Sequence, residues 1–259
     1  MVVYQDIESM PFIKNAVVTV GTFDGVHLAH CAVLDKVVQL AKEIRGTSVL
    51  ITFLSHPKEV IDPDFQDDIL LTIEEKNHHL QKTGIKTVIY LDFNSTVAKT
   101  YYYDFIKLLT TKMKIQKIVV GHDHNFGKNK EGNLLTLKRI SPMYGGFEVI
   151  EVPQQEADGI EISSSYIRRL IGIGELKLAN KLLGYRYSTI VSIVSGTNDF
   201  FVVKLVNEKK ILPPQGVYEI EIEGKSTQLK INGKLCISRK KNMDFDAKKG
   251  KQLTVTFLN

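Results

Sequence analysis

The chain has 259 residues, and its 43% hydrophobic and 24% charged content is typical of a folded globular protein and excludes one dominated by disorder. The net charge of +5 suits an anionic small molecule, but no dense basic stripe points to nucleic acid as a partner. No apolar run approaches the roughly 20 residues that span a bilayer. With no secretory signal pattern either, a soluble cytoplasmic protein is expected.

Strand-like and helix-like segments alternate through residue 184. The predicted strands are 16–20, 48–53, 87–91, 117–121 and 147–152. The predicted helices are 28–44, 73–83, 103–113, 134–140, 164–172 and 175–183. This alternation predicts an α/β domain, residues 1–184, whose parallel sheet is covered by helices on both faces. Ligands of such sheets bind at the carboxyl ends of the strands, where Gly21 and Gly121 are both placed.

After Tyr185 the helical patterns stop, and a second domain, residues 185–259, is predicted. Its short segments are rich in β-branched and aromatic residues and are separated by Gly, Asn, Asp and Pro. Such spacing predicts a small antiparallel barrel or sandwich. The expected strands are 187–195, 200–206, 216–222, 227–231, 234–238 and 252–258.

Residues 21–30 read as the end of a strand, a tight turn and the start of a helix. Gly21 and Gly25 allow a sharp turn and a close approach of the backbone to a ligand. The unpaired N–H groups of a helix start attract anions, and His27 and His30 are spaced to reach the same anion. A phosphate site is therefore predicted. The alternatives are ordinary structural histidines or a zinc site, and no third ligand stands at metal-ligand spacing.

A second anion site is predicted where another helix begins. Ser163, Ser164 and Ser165 precede Arg168 by about one turn. A helix cap accounts for one serine. Three hydroxyls, free N–H groups and a guanidinium together form a cradle for an anion. Capping alone is the alternative.

A third segment, 119–128, runs from a strand into a polar loop. Its aromatic and amide groups, among them Phe126 and Asn125, are suited to stack against and hydrogen-bond a planar ring. An ordinary polar loop with a buried Phe126 is the alternative. His56 and Pro57 follow the strand at 48–53 and are expected at the same edge of the sheet.

In five ordered segments the chain resembles the bacterial FAD synthetases, which usually join an FMN adenylyltransferase module to a riboflavin kinase module. Small departures are Ala29 for a usual glycine, His124 for phenylalanine and Ser165 for threonine. The five segments are Gly-Thr-Phe-Asp-Gly-Val-His-Leu-Ala-His at 21–30, Thr-Phe-x-x-His-Pro at 52–57, Leu-Thr-x-Glu-Glu-Lys at 71–76, Val-Val-Gly-x-Asp-x-x-Phe-Gly at 119–127 and Ile-Ser-Ser-Ser-x-Ile-Arg at 162–168.

The resemblance implies a Rossmann-like nucleotidyltransferase domain that transfers AMP from ATP to FMN, giving FAD and pyrophosphate, with Mg²⁺ accompanying ATP. His27, His30, Ser164 and Arg168 are the implied catalytic residues; no metal ligand is identified. The expected FMN contacts are His56, Pro57, Asp123, Asn125 and Phe126. The expected ATP contacts are Gly21, Phe23, Asp24, Gly25, His27, His30, Ser163, Ser164, Ser165 and Arg168.

The second half departs from the family. Residues 212–218 resemble a stretch of the kinase module, and Met243-Asp244-Phe245 resembles another, so the barrel is expected to persist. The family's Gly-x-Pro-Thr-Ala-Asn segment, whose threonine and asparagine serve Mg²⁺ and nucleotide, is replaced at 198–205 by Asn-Asp-Phe-Phe-Val-Val-Lys-Leu. The general-base glutamate is replaced within 238–241, which read Ser-Arg-Lys-Lys, and a cation cannot accept a proton. We therefore expect a barrel without riboflavin kinase activity, kept as a structural or flavin-docking module.

Three alternatives stay open at this point. The kinase is active through other residues, AMP goes to a different phosphorylated acceptor, or the protein is a silent flavin or nucleotide sensor. The sequence does not indicate an oligomeric state.

Overall fold

A computed structural model of the chain describes residues 1–55, 57, 60, 68–197, 199–238 and 248–258, without the side chain of Lys130. Its contacts divide the chain into two compact units. The first comprises Met1–Asp67 and Ile73–Glu161, and the second comprises Asp68–Thr72 and Ile162–Asn259.

The first unit is built on a six-stranded parallel sheet. In space the strand order is β1-β4-β3-β2-β5-β6, so the predicted α/β fold is confirmed. The first strand was not predicted because three residues are too few for a periodic pattern. The strands are β1 (Val2–Tyr4), β2 (Ile13–Val20), β3 (Thr47–Phe53), β4 (Thr87–Leu91), β5 (Met113–Gly121) and β6 (Glu148–Val152).

Helices cover both faces of this sheet, because successive strand residues point to opposite sides. Helix α1 packs against β2, β3 and β5. Helix α4 contributes Phe105, Ile106 and Leu109 to a core cluster on the other face, with Val18 and Ile51 from the strands. The helices are α1 (Leu28–Glu43), α2 (Ile73–Lys82), α3 (Ser95–Ala98), α4 (Tyr102–Lys112) and α5 (Leu134–Ile140), and a short hairpin adds β7 (Glu156–Ala157) and β8 (Ile160–Glu161).

The order of the strands decides where a ligand can bind. β2 lies between β3 and β5, so the chain leaves the sheet's centre first to one side and later to the other. A crevice opens at such a switch point, outside the carboxyl ends of the strands. Gly21 follows β2 and Gly121 ends β5, so both lie at this edge, as predicted.

The second unit contains two packed helices and a closed antiparallel barrel, with strands in the order β10-β13-β12-β11-β14-β9. The barrel excludes the sandwich alternative. Its interior is apolar, with Phe201, Ile220 and Phe257 fully buried. The elements are α6 (Ser164–Gly172), α7 (Leu176–Leu183), β9 (Ser188–Gly196), β10 (Phe200–Leu205), β11 (Gly216–Ile222), β12 (Lys225–Ile231), β13 (Leu235–Ser238) and β14 (Gln252–Phe257).

A short segment, Asp68–Thr72, belongs to the second unit although it precedes α2 in the chain. Ile69 forms a parallel bridge with Lys210. The buried Lys210 amine donates to the Leu70 carbonyl and lies 4.8 Å from the Tyr187 ring centre. The Tyr187 hydroxyl in turn donates to the Ile211 carbonyl at 2.8 Å. This attachment joins residues far apart in the sequence.

The sequence predicts a domain boundary near residue 184, between two functional modules. The helices α6 and α7 group with the barrel by their contacts. Part of the reason is local: the Tyr187 N–H donates to the Asn180 side-chain oxygen at 2.7 Å, which ties the end of α7 to the barrel. This grouping by contacts does not assign α6 and α7 to one functional module. The functional boundary near residue 184 therefore stays a prediction.

Candidate active site

The turn between β2 and α1 has a left-handed backbone at Phe23 (φ 48°), Gly25 (φ 92°) and Val26 (φ 37°). Glycine adopts such angles easily, whereas a β-branched valine is strained there. Strain of this kind persists only where the surroundings hold it, and it concentrates at functional sites. Here the Thr22 carbonyl is held twice, by the Thr52 hydroxyl at 3.0 Å and the Lys76 amine at 2.9 Å.

The two histidines of the turn lie together at the start of α1. His27 caps the helix, and its Nδ1 accepts the backbone N–H of His30 at 3.3 Å. Their rings stack with centres 3.6 Å apart and planes 14° apart. Because Nδ1 of His27 is an acceptor, the N–H donor of this ring is on Nε2. His27 therefore presents an N–H donor at a helix N-terminus, where anions are favoured.

His30 is uncharged at neutral pH. Burial lowers its pKa well below 6.5, and the charges of His27 and Lys76 lower it further. Its Nδ1 is shielded from solvent and has no hydrogen-bond partner among the residues that the structure describes. The Phe23 ring lies 4.7 Å from the His30 ring, centre to centre. The turn thus brings Gly21, Phe23, Gly25, His27 and His30 together, as the motif predicted.

The loop after β5 is anchored at Phe126. Phe126 and Gly132 exchange two backbone hydrogen bonds, 2.8 and 2.9 Å long. The Phe126 ring is half-buried against the core, 6.0 Å from Phe105, and stacks with His124 at 5.6 Å. Phe126 therefore packs against the core and against His124, and its contact with FMN stays a prediction.

The polar residues of this loop differ in burial. Burial lowers the pKa of His124 to about 4, against the opposing charge of Asp123, so the ring is neutral at pH 7. Asp123 is exposed, and the Asn125 amide donates to the Asp123 carbonyl at 2.8 Å. The loop therefore combines an uncharged ring with an exposed carboxylate at the carboxyl edge of the sheet.

The serine segment lies in the second unit. Ser163 caps α6, and its hydroxyl accepts the Tyr166 N–H at 3.3 Å. One serine thus has the capping role considered from the sequence. Ser164, Ser165 and Arg168 lie in the first turns of this helix, and anion binding by them stays a prediction.

His56 lies outside the described residues, and Pro57 is a half-buried turn residue. Within the described ranges there is no cluster of three or more His, Cys, Asp or Glu side chains suited to a metal ion. None of the helices in that part of the chain is long and apolar enough to cross a bilayer.

Residues 10–166 match the model of the FAD synthetase family. The chain belongs to this family. It is similar to a bifunctional riboflavin kinase/FMN adenylyltransferase of Listeria monocytogenes, with 33% identity over 80% of this chain and 68% of that protein. The enzyme of the same description from Bacillus subtilis is 30% identical over 81% of this chain and 68% of that protein.

A solved structure described as a macrolide-efflux protein from Streptococcus pneumoniae is also similar. Its TM-score is 0.87 at 25% identity, over 100% of this chain and 89% of that one. The match to the family model confirms the resemblance that the five sequence segments indicated. This FAD synthetase family member is a transferase of FAD biosynthesis.

Thr52 and Lys76 belong to the site of this FAD synthetase family member, but the sequence analysis assigned them no role. Thr52 and Lys76 both donate to the turn from other elements, β3 and α2. Burial lowers the Lys76 pKa to about 8, and the charge of the buried Asp24 opposes that shift. The sequence indicated these two residues only through the segments at 52–57 and 71–76. Both segments match the family, but the match does not indicate a role for either residue.

Proposed function

We propose that this FAD synthetase family member transfers AMP from ATP to FMN, giving FAD and pyrophosphate. The observation that carries the proposal is the stacked, hydrogen-bonded pair His27 and His30 at a helix N-terminus on the carboxyl edge of a parallel sheet. The names of the relatives, which include FMN adenylyltransferase, support FMN as the acceptor.

The reaction joins two polyanions. A phosphate oxygen of FMN attacks the α-phosphorus of ATP, the bond from that phosphorus to the bridging oxygen breaks, and pyrophosphate leaves. Catalysis then consists mainly of positioning and charge stabilisation. His27 and His30 supply N–H donors where negative charge grows, and Mg²⁺ arrives on the phosphates of ATP as part of the substrate.

The remaining site residues are assigned within the same proposal. Phe23, Asp24 and the glycines of the turn shape the ATP site. Asp123, Asn125 and Phe126, together with His56 and Pro57, bind FMN. The neutral His124 ring supports this assignment, because it presents a flat uncharged surface where the family commonly has phenylalanine. The triphosphate is assigned to Ser163, Ser164, Ser165 and Arg168, with Ser164 and Arg168 as catalytic residues.

Replacing Gly127 by alanine is expected to weaken FMN binding. A Cβ at this position would lie 2.9 Å from the Tyr102 nitrogen, and φ is +75°. The loop must shift to accommodate it, and if about 1.4 kcal/mol of this strain (typically on the order of 1–3 kcal/mol) is lost from FMN binding, the KM for FMN rises about tenfold. Steady-state kinetics should show the KM for ATP unchanged. Gly159→Ala is the matched control, since its φ is +73° with nothing within 4 Å of the new Cβ.

We propose further that the barrel has no riboflavin kinase activity. In the stretch expected to carry the threonine and asparagine, β10 places Phe201 and Val203 in the apolar interior. Asn198, the replaced general base at 239–241 and Met243-Asp244-Phe245 lie outside the described residues. The cationic side chains of Arg239, Lys240 and Lys241 support the loss, because none of them can act as the base for the hydroxyl of riboflavin at neutral pH.

One pair of assays tests both proposals. The purified chain is incubated with FMN and ATP, and separately with riboflavin and ATP, and the flavins are separated by chromatography. We expect FAD from the first mixture and no FMN or FAD from the second. FMN from riboflavin would show a bifunctional enzyme. No FAD from FMN would favour another phosphorylated acceptor or a silent flavin or nucleotide sensor.

A further inference from the structure

Lys76 is a buried lysine whose amine has a defined partner in the active-site turn. It lies on α2 and donates to the Thr22 carbonyl at 2.9 Å. A buried ammonium is costly unless it is paired, so a lysine at such a position needs a reason. The α-helix could bury an apolar side chain there instead, as it does with Leu80.

The contacts of the turn connect this amine to the histidines. Thr22 is followed by Phe23, where the backbone becomes left-handed. The Phe23 ring folds back over Gly21, so close that a Cβ on Gly21 would lie 2.9 Å from it. The same ring packs against His30, which stacks on His27. A displacement of the Thr22 carbonyl would therefore move Phe23 and, through it, the His30 ring.

We propose that Lys76 is a positioning residue of the adenylyl transfer, which fixes the Thr22 carbonyl and thereby holds Phe23 against His30. This inference rests on the proposed function. Lys76 is assigned no contact with substrate. It acts through the turn.

The charge of Lys76 also affects the protonation of His30. The positive charge of Lys76 disfavours protonation of His30 and so helps to keep that ring neutral. Asp24 of the turn, His30 of α1 and Tyr90 of β4 face Lys76, and Glu75 precedes it on its own helix. Burial raises the Tyr90 pKa, and the His30 pKa is low, so neither of these two groups titrates near pH 8.

The test compares Lys76→Met with the wild type. Removing a hydrogen bond from a charged group is expected to lower kcat/KM for ATP about tenfold or more at pH 7, while KM for FMN stays unchanged. The pH profile adds a second readout. For the free wild-type enzyme, kcat/KM for ATP should fall as pH rises through about 8, where Lys76 loses its charge, and K76M should lack this limb.

Thr52→Val is the matched control, because it removes the other donor to the same carbonyl without removing a charge. It should lower kcat/KM less than K76M does and keep the alkaline limb. Wild-type kcat/KM in K76M, or an alkaline limb that K76M retains, would overturn the proposal.

Calorimetric titration with ATP separates this inference from the proposed function. K76M should bind ATP about tenfold more weakly than the wild type, whichever acceptor the enzyme uses. If the wild type binds ATP but forms no FAD from FMN, the proposed function fails. The role of Lys76 is still tested in that case, by the difference in ATP affinity between the wild type and K76M. Equal ATP affinities of the two proteins would contradict the positioning role.

Discussion

Replacing His30 by alanine is expected to lower the rate of FAD formation about a hundredfold or more, because removing one well-placed donor from a site of developing negative charge costs roughly 2.7–4 kcal/mol. The His30 ring is neutral at pH 7 and stacks on His27. The neutral ring keeps one N–H, which can donate a hydrogen bond to a phosphate oxygen. The measurement is kcat with saturating FMN and ATP.

The variant should fold normally, since the ring is only partly buried and the backbone N–H of residue 30, which His27 accepts, is kept. A thermal unfolding midpoint close to that of the wild type checks this. His78→Ala is the matched control, because His78 is an exposed histidine on α2 and should leave the rate unchanged. A near-wild-type rate for H30A would contradict the role assigned to His30.

Lys76→Met is expected to make the protein more stable at pH 7 while making it less active. The Lys76 pKa is lowered from 10.5 to about 8, so the folded state binds this proton more weakly than the unfolded state does. Removing the buried charge should raise the free energy of unfolding by about 1–3 kcal/mol at pH 7. The Thr22 carbonyl keeps the Thr52 hydroxyl as a donor, so the substitution leaves it paired.

The direction of the pH dependence follows from the same shift. Between about pH 8 and 10.5 the unfolded state binds more protons at Lys76 than the folded state, so this group makes wild-type stability rise with pH. K76M should lack this contribution, and its advantage over the wild type should shrink as pH approaches 10.5. Calorimetric unfolding at pH 7 and pH 10 measures both proteins. A midpoint for K76M below that of the wild type at pH 7 would show that Lys76 stabilises the fold.

Together these two variants separate catalysis from folding. H30A should lose activity at nearly constant stability, and K76M should lose activity while gaining stability. Lower activity together with higher stability, as expected for K76M, is typical of a residue that is retained for function at a cost in stability. A general loss of structure would lower both.

The regular elements of the first unit were predictable because their signals are local. β2 to β5 contain short runs of buried apolar residues, β6 is rich in β-branched residues, and α1 has apolar residues at helical spacing. β1 and the β7–β8 hairpin escaped prediction, since strands of two or three residues carry no periodicity. The attachment of Asp68–Thr72 to Lys210 escaped it as well, because the two segments are about 140 residues apart.

The sequence by itself determined the parallel sheet, a small antiparallel β-domain and the family. It also determined the pairing of His27 with His30, because a turn followed by a helix fixes the spacing of neighbours in the chain. The closure of the β-domain into a barrel was decided by the tertiary structure. Only the tertiary structure brought Thr52 and Lys76 to the Thr22 carbonyl from separate elements. The protonation states of His30, Lys76 and His124 were decided there too. A pKa depends on burial and on charges contributed by distant parts of the chain, and neither can be read from the residues beside it.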